Sequence, residues 1–85
     1  MTNYSRNNKK HYDEVVAREA YEMVSECKSC EFIATETLEA AMQEADERVF
    51  YAEMSDDYKV RNAERYAVAE DMKVAVEELN RRNAA

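Results

Sequence analysis

Neither glycine nor proline occurs in these 85 residues, where average usage would place roughly ten of the two together. Those residues supply the left-handed backbone, the fixed φ and the missing N–H that tight turns, bulges and helix stops use. A chain without them has few means of building β-hairpins or a glycine-rich phosphate loop, and nothing in it opposes helix. The expected fold class is therefore all-α, as a three-helix antiparallel bundle. The alternative is a long helical hairpin that dimerises.

The length fits one small domain. Apolar residues make up 46% of the chain, but many are alanines, which bury little surface, so association with a second copy or a partner would add stability. Residues 1–10, MTNYSRNNKK, are polar and aperiodic and read as a flexible basic tail, leaving residues 11–85 as a single helical domain. That start lacks the apolar run of a secretory signal, and no apolar stretch approaches the ~20 residues of a membrane span. A cytoplasmic protein with two free thiols is the expectation.

From Tyr12 an apolar stripe runs through Val16, Ala20, Met23 and Cys27 at helical spacing. Propensity then weakens over residues 28–35, where serine, threonine and β-branched side chains collect. Thr35 can cap a second helix, with Glu36 and Glu39 in its first turns and Leu38, Ala41, Ala45, Val49 and Ala52 on one face. Ser55-Asp56-Asp57 reads as the entry to a third helix ending near Arg82, with Tyr58, Ala69, Met72, Val76 and Leu79 on its core face. The first stripe can also be threaded through Cys30 and Ala34 without loss of phase, which would fuse helices one and two into a rod. The serine and threonine cluster favours a break.

Helix three carries a second apolar set, Val60, Ala63, Ala67 and Val74, and helix two places Phe50 and Met54 away from its main stripe. These six residues are the apolar candidates for a partner or homodimer surface, unless helix three is central and packed on both sides.

Chemistry-bearing motifs are sparse. Cys27 and Cys30 form a C-x-x-C pair, but zinc needs four ligands and only His11 stands ready as a third, while a thioredoxin-type site needs a preceding strand. Neither a metal nor any other cofactor is expected, and no catalytic residues are assigned. His11 lacks a partnered nucleophile. The chain is not expected to be an enzyme, to bind nucleic acid directly or to enter a membrane.

The net charge of −7 is unevenly spread: +3 over residues 1–12, −9 over 13–47 and −1 over 48–85. Glu19, Glu22 and Glu26 lie along one flank of helix one; Glu36, Glu39, Asp46 and Glu47 are expected to face outward from helix two. Steps of three or four residues space carboxylates by ~5–6 Å along a helix, near the separation of successive backbone phosphates. Such a face suits a basic protein groove, although a solvated surface has the same composition.

Ala20-Tyr21-Glu22-Met23, then Leu38 and Ala41, then Ala45-Asp46 and Val49-Phe50-Tyr51-Ala52-Glu53-Met54 together resemble the first half of the Ocr-type phage anti-restriction proteins, over about residues 20–54. The resemblance implies a phage-encoded helical dimer that blocks a host DNA enzyme by imitating DNA. Helix three differs from that pattern in carrying Lys59, Arg61, Arg65, Lys73, Arg81 and Arg82. The functional expectation is an acidic protein-binding inhibitor of a host nucleic-acid-acting defence enzyme. The alternatives are a structural or regulatory module that binds through apolar faces, and a metal or redox protein at Cys27 and Cys30.

Overall fold

The computed structural model describes residues 11–84, so the basic tail at 1–10 lies outside the described residues. Three helices follow one another: α1, Glu14–Glu26; α2, Thr35–Ala52; and α3, Tyr58–Ala84. They pack as an antiparallel all-α bundle. The start of α1 (Glu14, Arg18) lies against Glu47 and Tyr51, and its end (Ala20, Met23) lies against Glu36 and Ala40. The end of α3 reaches back to the start of α2, where Arg82 bonds Thr35. α2 is the middle element; α1 and α3 touch each other far less than either touches α2.

Each helix start is explained locally. Asp13 caps α1 by accepting the Val15 N–H at 2.9 Å, and Asp57 caps α3 by accepting the Lys59 N–H at 2.9 Å. Thr35 does not cap α2. Ala34 holds that position without a side-chain bond, and the Thr35 hydroxyl instead accepts from Arg82.

The break between α1 and α2 falls where the serine and threonine cluster places it, and it is made without left-handed backbone. No described residue has positive φ. Cys27 and Ala34 flank the link in extended or near-extended conformations, with ψ of 140° and 143°. An exit of this kind leaves carbonyls unpaired. The Arg82 guanidinium supplies donors, reaching the carbonyls of Cys30 (3.1 Å), Glu31 (3.2 Å) and Ile33 (2.7 Å). Its Nε bonds the Glu78 carboxylate at 2.7 Å, and Arg81 bonds the same carboxylate. Those two arginines hold Glu78, itself buried, below the usual carboxylate range.

The core is built from Ala17, Ala20, Tyr21 and Val24 of α1, Leu38, Ala41, Met42 and Ala45 of α2, and Val68, Met72, Ala75 and Leu79 of α3. The α1 face is rotated by about one residue from the expected stripe: Val16 and Met23 are about half exposed, while Ala17 and Val24 are buried. Alanines win the contact because they let the helix axes approach closely. α2 packs through the expected Leu38, Ala41 and Ala45. In α3, Met72 and Leu79 are buried as expected, but Tyr58 and Ala69 are exposed, and Val68 and Ala75 take the core places.

Helix lengths set the shape. At 1.5 Å per residue, 27 residues of α3 span about 40 Å and 18 residues of α2 about 27 Å, matching overall extents of 40 × 24 × 23 Å. Because Arg82 anchors the end of α3 to the start of α2, the excess length emerges at the start of α3. Over Tyr58–Ala67 no side chain is buried.

A candidate protein-binding surface

The overhang creates the largest concentration of exposed apolar side chains. Phe50, Tyr51 and Met54 close α2, and Tyr58, Val60 and Tyr66 open α3. These are six of the ten large hydrophobic residues exposed among those described. Phe50 and Tyr51 meet edge to face, with ring centroids 5.5 Å apart and planes at 75°. The link between the helices is held in place: Arg61 donates to the Ser55 carbonyl at 2.6 Å, the Ser55 hydroxyl accepts the Asp57 N–H at 3.2 Å, and Arg65 pairs with Glu53 at 3.8 Å. The apolar groups therefore stand on a fixed frame.

Of the apolar candidates, Phe50, Met54, Val60, Ala63 and Ala67 are exposed, whereas Val74 packs against the core. α3 is therefore not packed on both sides in its first half. Tyr51 and Tyr66 belong to this surface although no stripe singled them out, and Tyr58, expected on the core face, belongs to it as well. Phe32, at the far end of the molecule in the α1–α2 link, is 95% exposed, and no apolar stripe in the sequence marks it.

The acidic candidates divide. Glu19, Glu22, Glu26 and Glu36 are exposed, and none of the four carboxylates bonds a described residue. Glu19 and Glu36 flank a cleft of about 380 Å³ between α1 and α2 whose apolar wall includes Val16 and Met23. Glu39 instead accepts a bond from the Tyr12 hydroxyl at 3.0 Å. Asp46 and Glu47 are half-buried, and Asp46 lines the apolar groove between α2 and α3. The line of charge thus runs along α1 and the first turn of α2, and does not continue down α2. No family model, curated protein or solved structure matches the chain. Any functional reading therefore rests on these surfaces.

Two buried tyrosines bond carboxylates through their hydroxyls. Tyr21 is 2% exposed; its hydroxyl donates to Asp71 of α3 at 2.6 Å, and Arg48 of α2 stacks over its ring at 3.9 Å. Burial, and then the Asp71 carboxylate, push its ionisation well above the ordinary range against the opposing charge of Arg48. Tyr12 is pushed up to about 12 by burial, by its bond to Glu39 and by the charges of Glu39 and Glu36. Gln43 fastens Tyr12 through the backbone, accepting its N–H at 2.8 Å and donating to its carbonyl at 2.7 Å. Both tyrosines join helices and neither opens onto a cleft with a partnered nucleophile.

Cys27 and Cys30 both lie in the α1–α2 link. α1 ends before them, Cys27 is half-exposed with its thiol 3.2 Å from the Met23 carbonyl, and Cys30 is buried. Burial first, and then Cys27 and Glu78, push the Cys30 thiol up, against Arg82. Among the described residues no group of three or more His, Cys, Asp or Glu is placed to hold a metal. His11 is exposed. No helix among them is long and apolar enough to cross a membrane.

Proposed function

We propose that this chain is a non-enzymatic binding protein that holds another protein through the exposed end of α2 and start of α3. The observation that carries this reading is the cluster of Phe50, Tyr51, Met54, Tyr58, Val60 and Tyr66 on a segment of the bundle with no buried side chain of its own. Exposed carboxylates are cheap in water, but many exposed apolar and aromatic side chains at one end of a bundle are costly to leave uncovered and are typical of protein contact sites. The test is capture from a bacterial lysate by the parent and by Phe50→Asp with Met54→Asp, checked for unchanged helicity. Loss of capture supports the reading, and capture equal to the parent's refutes it.

A second reading is favoured by the free carboxylates of Glu19, Glu22, Glu26 and Glu36. They suit a partner with a basic groove, and so an inhibitor, phage-encoded in line with the resemblance over residues 20–54, that occupies the nucleic-acid site of a host defence enzyme. Capture by that route falls steeply with salt and is weakened by Glu19, Glu22 and Glu26→Gln together. Capture that survives salt and these substitutions rules it out.

A further inference from the structure

α3 has a further open face on the flank turned away from α1. At 100° per residue, Tyr58, Asn62, Tyr66, Ala69, Lys73 and Val76 fall within about 80° of arc. All except Val76 are exposed. Two clefts lie along this face and share Ala69. One, about 340 Å³, runs between α2 and α3 over Met42, Val49, Met72 and Val76; the other is bounded by Asn62, Arg65 and Tyr66. No residue of α1 lines either one.

The charge along α3 is polarised about the middle of this face. The charges on or beside it are Lys59 and Arg65 in residues 58–67, a net +2, and Glu70, Lys73 and Glu77 in residues 68–77, a net −1, while Arg61 and Asp71 turn to the Ser55 carbonyl and to Tyr21 of α1. A helix whose halves carry opposite charge is complementary to itself when turned end for end. We infer that two copies of this chain pair along this face with their α3 helices antiparallel, centred near residues 67 and 68.

In that register Tyr66 of one copy faces Ala69 of the second, Asn62 faces Lys73, and Tyr58 enters the apolar cleft beside Val76. Tyr66 against Ala69 sets large against small, and the stripe follows the steps of three and four residues of a coiled-coil seam. Lys59 and Glu77 lie on the same flank, at the same level as their opposite numbers, so the two-fold axis makes the Lys59–Glu77 contact twice. The polarity favours a second copy over an unrelated helix, because both halves of the pattern are present in one chain. The pairing goes beyond the binding role proposed above: it takes up Tyr58 and Tyr66 of that surface, and leaves Val60 on another side of α3 and Glu19, Glu22 and Glu26 of α1 uncovered.

Sedimentation equilibrium on the whole chain, over roughly 1–200 µM, tests this. The parent is expected to dimerise, and Ala69→Arg, at an exposed position the fold does not need, to be monomeric. Lys59→Glu and Glu77→Lys are each expected to weaken the dimer by roughly tenfold, since each places like charges together twice. The double variant recovers it, and so does an equimolar mixture of the two single variants, because antiparallel pairing then sets Glu against Lys at both ends. A monomeric parent overturns the inference. So does a dimer indifferent to Ala69→Arg, or charge variants that neither weaken the dimer singly nor restore it in combination. Capture of a partner by a monomeric parent would leave the binding role standing while removing this one.

Discussion

Replacing Tyr21 by phenylalanine removes one oxygen from the point where all three helices meet. The ring stays 2% exposed beneath Arg48, so packing and the cation–ring contact are kept. What is lost is the 2.6 Å bond to Asp71. A hydrogen bond to a charged group contributes about 1.5–3 kcal/mol net. Asp71 is only half-buried, so water can replace part of the loss, and the lower half of that range applies, about 1.5–2 kcal/mol. For a domain of this size each kcal/mol moves the midpoint by roughly 4–8 °C, so Tyr21→Phe should melt roughly 6–16 °C below the parent at neutral pH.

The same hydroxyl leaves a signature in alkali. Tyr12 and Tyr21 both hold their protons more tightly when folded than at their ordinary value of 10.0. Above that value the unfolded chain releases protons that the folded chain keeps, so their contribution is complete below pH 10 and is lost as pH rises. Each such hydroxyl costs about 1.4 kcal/mol by pH 11. Between pH 8 and 11 the parent should lose about 1.4 kcal/mol more than Tyr21→Phe, because the losses from Tyr12 and from the Cys30 thiol, which burial also pushes up, are common to both. Thermal melts followed by circular dichroism at both pH values measure this. A variant as stable as the parent at pH 7, or with an unchanged alkaline loss, would refute the account of Tyr21 as a hydrogen-bonded tie between α1 and α3.

Three other outcomes follow from named contacts. Arg82→Ala should raise amide exchange across residues 30–35 by tenfold or more, and Arg82→Lys should not restore protection, because an ammonium cannot span three carbonyls and a carboxylate at once. Under mild alkylation Cys27 should react first, with Cys30 following only on unfolding, since Cys30 is buried and its thiol is pushed up; mass mapping that finds both labelled equally fast would contradict this. Glu19, Glu22 and Glu26→Gln should each change stability by no more than about 0.5 kcal/mol, because none bonds a described residue; a large drop in melting temperature would show that they are structural.

How much of this was legible in the sequence depends on the range of the contact involved. The helices and the break at residues 28–35 follow from local chemistry: no turn residues, a serine and threonine cluster, and aspartates ahead of α1 and α3. The closure of that break does not, because it is made by Arg82, some fifty residues further on, which from sequence alone reads only as a cation favoured at a helix end. The face of α1 was misplaced by one residue for a related reason. Periodicity weights large apolar groups such as Val16 and Met23, whereas close approach of two helices is decided by Ala17 and Ala20. Glu39 carries an ordinary surface signal and Tyr12 opens an apolar stripe, and only the fold shows that they bond each other.

The apolar candidates were more readable, and where they failed the reason is length. Val60, Ala63, Ala67 and Val74 form one continuous stripe in sequence, but α3 is nine residues longer than α2, so the stripe begins beyond the core and ends within it. The same mismatch accounts for the exposure of Tyr58, Tyr66 and the end of α2. A chain containing glycine could fold a flexible loop back over such an overhang. Here the α2–α3 link is five residues long, has no left-handed backbone and is tied down by Arg61 and Asp57. Nothing in that link can cover the exposed aromatics. The absence of turn residues that commits this chain to helix therefore also leaves its apolar end to be covered by another surface, and that is where binding should be sought.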